Sequence, residues 1–466
     1  MTRPGVEEHP LRVAVIGAGP AGFYTAEHLF RQPGLVVHVD LYDRLPTPYG
    51  LVRFGVAPDH QKIKNVTATF DKTASQPGFR FFGHVELGKD VTLEDLRAHY
   101  HQIVYTTGAQ TDRHMGIPGE NLRRSHPATD FVAWYNGHPD YQDHDFDLSQ
   151  EQVAVVGVGN VAVDVVRILC RTADELAATD ISDRALTALR DSRVREVHLL
   201  GRRGPAQASF TNPEIRELGE LPGADVVARP DEVEPDSLTR AELERSGDRG
   251  TLKKVEILRE YGRRLPSGRP RRLVIRFLVS PVALTGDDAG AVVGMRLVRN
   301  ELQATAAGTL QARPTDRFED LPAGLVFRSV GYRGVPLPGV PFNDAWGVIL
   351  NDKGRVLDLD SRAPRVGEYV AGWIKRGPTG VIGTNKPDAA ETVACMVEDL
   401  GQDRLLEPSE PESGAALALV QQRQPHCVSW KDWLRLDALE VERGRSAGRP
   451  RVKFTRVEEM LAALGR

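Results

Sequence analysis

Residues 11–22 read LRVAVIGAGPAG, a short apolar run, rich in β-branched residues, that ends in a glycine-rich turn. The apolar positions from Phe23 to Phe30 continue at helical spacing, and a second apolar run, Leu35 to Tyr42, ends on Asp43. Strand, G-x-G-x-x-G turn, helix, strand and acid in this order form the dinucleotide-binding βαβ fingerprint. The sequence therefore predicts a Rossmann-like unit at the start of the chain.

Each fingerprint residue has a physical role. Gly17 makes the tight turn, Gly19 lets the backbone approach a pyrophosphate, and Gly22 lets helix and strand pack closely. The helix N-terminus offers N–H groups to phosphates, and Asp43 can accept hydrogen bonds from a ribose with a free 2′-hydroxyl, as in FAD or NAD. The bare glycine pattern arises by chance about 0.4 times in a chain with 44 glycines in 466 residues. The flanking strand, helix and acid therefore carry the prediction, and the alternative is a Rossmann-like turn that binds nothing.

Length and composition are those of a globular enzyme with two or three domains. The formal net charge of −4 gives no reason to expect nucleic acid or an anionic membrane as a partner. The three cysteines, Cys170, Cys395 and Cys427, form no C-x-x-C pair, which disfavours a redox dithiol, a zinc site and a bound iron–sulfur cluster. No apolar run approaches the ~20 residues of a membrane helix. Residues 1–10 lack the apolar region of a signal peptide, so we expect a cytoplasmic protein without membrane insertion.

A proline-rich segment follows Asp43. Residues 44–60 contain three prolines and two glycines, which excludes one regular element. An irregular apolar loop beyond the ribose acid is suited to cover a flavin ring, although it could equally be a packed connection. A helix is predicted for Gln61–Ala74 with Asp59 as its N-cap, and His60, taken alone, would more often be a surface residue than a catalytic one.

A second Rossmann unit begins at Gln152. An apolar strand to Val156 leads into the turn Gly157-Val158-Gly159-Asn160-Val161-Ala162 and a helix to Cys170. The next strand, Val194–Leu200, ends in Gly201-Arg202-Arg203 and lacks the acid of the first unit. Adjacent arginines here suit a ribose 2′-phosphate, which guanidinium groups bind bidentately. The alternative is a solvated basic turn.

The remaining segments give weaker signals. Asn212 is predicted to cap a helix with Pro213 at its first position and Glu214 in its first turn, where the helix dipole favours an acid. Glu214 therefore has a structural explanation without any function. The segment Val226–Leu238 is expected to be rich in loops, and the chain is expected to return to the first domain at the strand that ends on Gly372. Antiparallel strands are predicted for Leu273–Val279, Val292–Leu302 and Leu310–Arg313.

Five blocks of sequence point to one family. They are residues 17–22, PYGLVRFGVAPDH at 48–60, GNVA at 159–162, GRRGP at 201–205 and GWIKRGPTG at 372–380. From Leu11 to the C-terminus the sequence resembles the adrenodoxin reductase family, especially bacterial NADPH–ferredoxin reductases of the FprA type. The resemblance implies an α/β fold with two Rossmann-like domains in the glutathione-reductase-like two-dinucleotide arrangement. We expect a discontinuous FAD domain at residues 11–111 and 334–466, with a C-terminal helical extension, and an inserted NADP domain at residues 112–333.

The resemblance also assigns cofactor contacts. For FAD these are Gly17, Gly19, Ala21, Gly22, Asp43, Leu51, Val85, Trp373, Gly380, Val381 and Ile382. For NADP they are Val158, Gly159, Asn160, Val161, Arg202, Arg203, Glu214 and Gly380, the last where flavin and nicotinamide meet. His60 and Glu214 are expected to help the redox step. Asp43 stands where relatives often have Glu, which shortens the reach to the ribose, and we expect neither a metal site nor an added ferredoxin domain or transit peptide.

The function implied by the resemblance is that of an FAD-dependent ferredoxin–NADP⁺ reductase. It takes hydride from NADPH onto FAD and passes single electrons to a ferredoxin-type iron–sulfur protein. Basic residues of the NADP domain, Arg216, Lys253 and Lys254, are candidates for transient electrostatic docking of that partner. One rival is the NADPH-oxidising subunit of a glutamate-synthase-like complex, which carries cysteine-rich cluster segments; another is a flavin-binding regulatory protein without turnover.

Overall fold

Residues 3–306 and 308–466 are described by a computed structural model, and their strands and helices are numbered in chain order. The strands are β1 Leu11–Ile16, β2 Val37–Asp43, β3 Phe79–Gly83, β4 Gln102–Tyr105, β5 Thr111–Asp112, β6 Ser125–Pro127, β7 Gln152–Val156, β8 Glu196–Leu200, β9 Ala224–Ala228, β10 Arg271–Arg276, β11 Val279–Gly286, β12 Val292–Ala304, β13 Leu310–Pro322, β14 Leu325–Arg328, β15 Tyr332–Arg333, β16 Asn351–Asp352, β17 Arg355–Leu357 and β18 Pro364–Val370. The helices are α1 Pro20–Phe30, α2 Leu51–Phe54, α3 Gln61–Lys64, α4 Thr67–Ala74, α5 Leu93–His99, α6 Ala128–Tyr135, α7 Asn160–Cys170, α8 Ala173–Ala177, α9 Asp183–Arg190, α10 Asn212–Leu218, α11 Pro230–Val233, α12 Ser237–Ser246, α13 Arg249–Arg263, α14 Trp373–Arg376, α15 Asn385–Gly401, α16 Ser413–Arg423, α17 Trp430–Ser446 and α18 Val457–Ala463.

The chain divides into two units. The first contains the residues up to Thr111, Asn136–Pro139 and Tyr332–Arg466, and the second contains Asp112–Tyr135 and Asp140–Gly331. No helix within residues 3–306 and 308–466 is both long and apolar enough to cross a membrane.

The first unit is built on a seven-stranded sheet in the order β16-β17-β18-β4-β1-β2-β3. β1 pairs in parallel with β2 on one side and β4 on the other. Its alternate residues enter two hydrophobic clusters, Val13 and Val15 on one face and Ala14 and Ile16 on the other. Because both faces of the sheet are covered, β1 is continuously apolar from Val13 to Ile16 rather than alternating. The carboxyl end of β1, between two parallel neighbours, is where such sheets bind ligands.

The second unit repeats this plan. Its six-stranded sheet has the order β6-β14-β7-β8-β10-β9, and β7 pairs in parallel with β8 and β14. A separate antiparallel sheet is formed by β11, β12 and β13. The predicted α/β class with two Rossmann-like units is confirmed.

One predicted strand was assigned to the wrong sheet. Leu273–Val279 was expected to be antiparallel, yet β10 lies in the parallel sheet between β8 and β9. The segment Val226–Leu238 was expected to be loop-rich, yet it contains part of β9, helix α11 and the start of α12. Parallel neighbours need a long crossover, which α11, α12 and α13 supply between β9 and β10. The predicted antiparallel strands at β12 and β13 are confirmed, and β13 continues to Pro322.

Two predicted N-caps were wrong, although the first of these helices begins at Gln61 as predicted. His60, not Asp59, occupies the N-cap position of α3, and the predicted helix Gln61–Ala74 is two short helices. Asn65 and the β-branched residues after it are weak helix formers, which accounts for the break. At α10 the N-cap position belongs to Thr211, whose backbone N–H donates to Asn160 Oδ1 at 2.9 Å, so Asn212 is already helical.

Candidate functional sites

The glycine turn of the first unit has the shape that a pyrophosphate requires. Gly17 has φ +113°, and a Cβ there would lie 2.8 Å from the backbone carbon of Thr106. A Cβ on Gly22 would lie 2.2 Å from the Gly17 oxygen, whereas a Cβ on Gly19 would have no atom within 4 Å. The first and third glycines are therefore required by packing, and the second faces open space at the N-terminus of α1, where backbone N–H groups attract anions.

Asp43 lies beside this turn at the end of β2. Its carboxylate accepts one hydrogen bond from the Ala18 N–H and one from the Leu45 N–H, both at 2.9 Å. Burial raises the pKa of Asp43, and the two backbone N–H groups oppose that shift. A carboxylate has about four acceptor positions, so two remain for ribose hydroxyls. The residues present fit the adenosine-pyrophosphate part of FAD.

The segment 44–60 packs onto the glycine turn. The predicted irregular loop is confirmed, since its regular structure consists of the four-residue helix α2, which begins at Leu51. The Tyr49 N–H donates to the Ala18 carbonyl at 2.7 Å, and a Cβ on Gly50 would lie 3.0 Å from Gly19 Cα. Leu51 is half-buried at this point.

The end of β18 brings the returning chain to the same turn. A Cβ on Gly372 would lie 2.6 Å from the Ala21 Cβ, and the Gly372 N–H donates to Asp388 Oδ2 at 2.5 Å. Trp373 is half-buried, and its indole N–H donates to the Thr379 carbonyl at 3.1 Å. Val85 is buried near Asp43, whose carbonyl accepts from the Val85 N–H at 2.9 Å. Of the last three predicted FAD contacts, Gly380 and Val381 are exposed and Ile382 is half-buried.

Two residues of this site escaped the sequence analysis. Thr106 donates its hydroxyl to the Gly17 carbonyl at 2.8 Å and its N–H to the Ile16 carbonyl at 2.8 Å, so it fixes the turn. Its position after an apolar strand was the available signal. Asp388 accepts from Gly372 and lies 3.2 Å from the Lys375 ammonium. Nothing in the spacing of the sequence marks Asp388.

The second unit has an equivalent turn. Gly157 has φ +133°, and a Cβ there would lie 2.1 Å from the Ser329 oxygen, whereas a Cβ on Gly159 would have no atom within 4 Å. The Val158 carbonyl accepts from the N–H groups of Ser209 and Phe210 at 2.9 and 3.0 Å. The predicted NADP contacts of this unit's turn are Val158, Gly159, Asn160 and Val161, which span the turn and the start of α7.

Two arginines follow β8, where the adenosine ribose of a bound dinucleotide lies in Rossmann folds. Arg202 is exposed and Arg203 half-buried. Burial lowers the pKa of Arg203, and the charge of Arg202 lowers it further, against the attraction of Glu242. A doubly negative phosphate would relieve this repulsion, so the residues fit NADP.

His60 and Glu214 belong to different units. The His60 carbonyl accepts from the Ile63 N–H at 3.1 Å, which starts α3. Glu214 lies in the first turn of α10, and its carboxylate accepts from Arg167 at 3.5 Å. Arg167 is fully buried and also pairs with Asp164 at 2.7 Å. Glu214 therefore has an ionic partner within its own unit.

Comparisons with known proteins extend these observations. The Pyridine nucleotide-disulphide oxidoreductase family model matches residues 11–204. NADPH-ferredoxin reductase FprA of Mycobacterium tuberculosis is 45% identical over 462 residues, which cover 97% of this chain and 98% of that protein. The chain belongs to the adrenodoxin reductase family. Human mitochondrial NADPH:adrenodoxin oxidoreductase is 42% identical over 477 residues, which cover 98% of this chain and 93% of that protein.

Solved structures of adrenodoxin reductase family members agree with the fold. M. tuberculosis FprA in complex with NADPH superposes with a TM-score of 0.92 and 44% identity, covering 98% of this chain and 100% of that chain. The resemblance inferred from the sequence blocks and the two-dinucleotide architecture are both confirmed.

Proposed function

We propose that the protein is an FAD-dependent NADPH–ferredoxin oxidoreductase. It oxidises one NADPH to NADP⁺ and a proton and reduces two molecules of a ferredoxin-type iron–sulfur protein by one electron each. The observation that carries this function is the similarity of nearly the whole chain to NADPH-ferredoxin and NADPH:adrenodoxin reductases.

The FAD site belongs to the first unit in this proposal, and residues 11–111 and 334–466 form its domain. Gly17 and Gly22 shape the turn, Gly19 lets the pyrophosphate approach the backbone, and Asp43 accepts from the ribose. The other contacts are Ala21, Leu51, Val85, Trp373, Gly380, Val381 and Ile382. The open face at Gly19 and the two acceptor positions left on Asp43 support this assignment.

The NADP site belongs to residues 112–333. Val158, Gly159, Asn160 and Val161 bind the pyrophosphate and Arg202 with Arg203 binds the 2′-phosphate. The other proposed NADP contacts are Glu214 and Gly380, with Gly380 near the nicotinamide. The FAD supplies the step from a two-electron donor to one-electron transfers, and the protein's own residues bind and orient the rings.

Anaerobic mixing of the FAD-loaded protein with NADPH tests the function. Bleaching of the flavin absorption band, followed by ferredoxin-dependent reduction of cytochrome c, is the expected result. A flavin that NADPH leaves oxidised would point to a regulatory flavoprotein, and reduction without electron transfer to any ferredoxin would point to a different acceptor.

His60 and Glu214 are expected to orient the nicotinamide rather than to retain cofactor. His60→Ala and Glu214→Ala should keep their FAD and slow flavin reduction by NADPH by about 10- to 100-fold, the scale of a misplaced reacting group. Stopped-flow absorbance across pH measures the rate. Glu220→Ala, an exposed acid just after α10, is the matched control. A rate equal to the wild type at every pH would leave the substituted residue with a structural role.

We propose that ferredoxin docks through basic residues of the NADP domain. Arg216 is exposed, and Lys253 is 53% exposed beside Glu256. The Lys254 ammonium is half-buried and donates to the Ala208 carbonyl at 2.6 Å, so we expect it to contribute less to docking than Arg216 and Lys253.

Reversing the charges of Arg216 and Lys253 should raise the KM for ferredoxin. At low salt we expect a rise of roughly threefold to tenfold, since an exposed charge contributes up to ~1 kcal/mol. The difference should shrink as salt screens the charges, while reduction of ferricyanide by NADPH stays unchanged. A KM for ferredoxin that is independent of ionic strength in the wild type would refute this docking mode.

We also propose a cytoplasmic location. The three cysteines are free thiols, and two of them are buried. Free thiols are typical of reducing compartments.

A further inference from the structure

The segment 377–384 carries three of the proposed cofactor contacts, Gly380, Val381 and Ile382, yet it belongs to no sheet. Gly377 and Gly380 have φ values of +81° and +80°. A Cβ on Gly380 would also lie 2.4 Å from Thr384 Oγ1. Glycines make such a segment conformationally free, so its contacts must hold it in one conformation.

The Arg376 guanidinium bonds to both ends of this segment. Before Gly380 it donates to the Thr379 carbonyl and, at 3.3 Å, to the Thr379 hydroxyl. After Ile382 it donates to Thr384 Oγ1 at 3.2 Å and to Asn385 Oδ1 at 2.9 Å. The planar fork of a guanidinium can serve several acceptors in fixed directions, which a lysine ammonium cannot do.

The side chains that accept from Arg376 in turn hold the cofactor contacts. Thr384 Oγ1 donates to the Val381 carbonyl at 2.6 Å, and Asn385 Nδ2 donates to the Ile382 carbonyl at 3.0 Å. The hydrogen bonds therefore run from one guanidinium through two side chains to two consecutive backbone carbonyls.

We propose that Arg376 is a positioning residue that fixes residues 379–385 and thereby the backbone of Gly380, a proposed contact of both FAD and NADP. This inference rests on the proposed function. Arg376 is 21% exposed, and its Nε lies 3.7 Å from Asp388, the acid that accepts from Gly372. The same guanidinium thus links this segment to Gly372, which follows β18 and lies beside the glycine turn of the first unit.

The test compares Arg376→Lys and Arg376→Ala with the wild-type holoenzyme. Both variants should keep their FAD, as measured by flavin absorbance, and reduce it with NADPH about 10- to 100-fold more slowly. The KM for NADPH should stay within about twofold, since uniform binding is untouched. Hydrogen exchange at the backbone amides of residues 379–385, measured without NADPH, should become faster. Lys386→Ala, which removes a half-exposed cation bonded to Glu27 rather than to this segment, is the control.

Three results would overturn the proposal. A wild-type rate of flavin reduction in Arg376→Lys would show that a positive charge suffices. A raised KM for NADPH with unchanged kcat would indicate that Arg376 binds the nucleotide directly. Unchanged hydrogen exchange at residues 379–385 would show that their conformation does not depend on Arg376. If Arg376→Ala fails to fold, a double-mutant cycle of Arg376→Lys with Thr384→Val tests whether the two residues act through the same hydrogen bonds. If both residues act through one chain of hydrogen bonds, the double variant should reduce its flavin at a rate within about twofold of the slower single variant. If the rate losses of the two single variants multiply in the double variant, the residues act independently and the proposal is refuted. A wild type that NADPH cannot reduce would instead refute the proposed function, and the exchange measurement would still report on Arg376.

Discussion

Replacing Arg202 and Arg203 together by alanine is expected to lower kcat/KM for NADPH by about two to four decades and to leave kcat/KM for NADH nearly unchanged. NADPH differs from NADH by one phosphate on the adenosine ribose. Hydrogen bonds to charged groups contribute roughly 1.5–3 kcal/mol each, and ~1.4 kcal/mol corresponds to one decade. The loss of one such hydrogen bond from each of the two guanidinium groups therefore corresponds to the expected fall of two to four decades in kcat/KM for NADPH.

Arg202 and Arg203 differ in burial, and we therefore expect them to contribute unequally to binding the 2′-phosphate. Arg203 is half-buried and its guanidinium lies 3.5 Å from the Gln207 carbonyl, whereas Arg202 is exposed and held through its backbone, whose carbonyl accepts from Asn300 at 2.9 Å. Water and salt screen an exposed charge more strongly. Of the two single variants, Arg203→Ala should therefore have the larger effect.

Steady-state kinetics with both nucleotides measures the preference. Arg195→Ala is the matched control, because Arg195 immediately precedes β8 at its opposite end and its side chain is 72% exposed. An equal fall for NADH and NADPH in the double variant would show that the arginines hold the pyrophosphate or the local fold.

The two glycine turns could be predicted because local chemistry dictates them. Gly17 and Gly157 have positive φ and no room for a Cβ, so these two positions require glycine and the turns can be recognised in the sequence. β10 could not be assigned to its sheet in the same way. Its buried apolar residues, Leu273 and Ile275, are compatible with either kind of pairing, and the crossover through α11, α12 and α13 allows the parallel pairing with β9.

The residues of the candidate sites also differ in whether a local sequence pattern marks them. The position of Asp43 beside the glycine turn was predictable, because this acid ends the second strand at a fixed distance from the turn. Asp388 and Arg376 were not, because they act on Gly372 and on residues 379–385 through side-chain bonds that leave no periodic pattern. Tertiary hydrogen bonds between residues of unrelated elements require the structure.

Removing the carboxylate of Glu440 is expected to destabilise the first unit by about 3–5 kcal/mol, the typical cost of leaving one partner of a buried ion pair unpaired. Glu440 is fully buried on α17 and accepts two hydrogen bonds from Arg53 of α2, at 2.5 and 2.9 Å. It also accepts from Arg451 at 3.2 Å and from the Phe454 N–H at 2.9 Å. The pair thus ties the C-terminal helices to the helix that carries Leu51, so Glu440→Ala should also release FAD more readily.

The same pair predicts the direction of a pH dependence. Burial acts to raise the pKa of Glu440, but the charge and hydrogen bonds of Arg53 outweigh it and the pKa is lowered. Since the folded-state pKa is below the unfolded value of about 4.3, the stabilisation is complete above that pH and is lost as pH falls through the folded value. The difference in stability between the wild type and Glu440→Gln should therefore narrow below about pH 4.3.

Urea unfolding followed by tryptophan fluorescence measures both effects, because the Trp433 ring lies 5.2 Å from the Arg53 guanidinium. Glu442→Ala is the matched control on the same helix. Its pair with Arg445 is exposed, with side-chain exposures of 64% and 74%, and exposed pairs contribute at most ~1 kcal/mol. If Glu440→Ala and Glu442→Ala shift the unfolding midpoint equally, the buried pair does not hold the C-terminal helices. If Glu440→Gln keeps a constant deficit from pH 7 to pH 3, the carboxylate of Glu440 is not the titrating group.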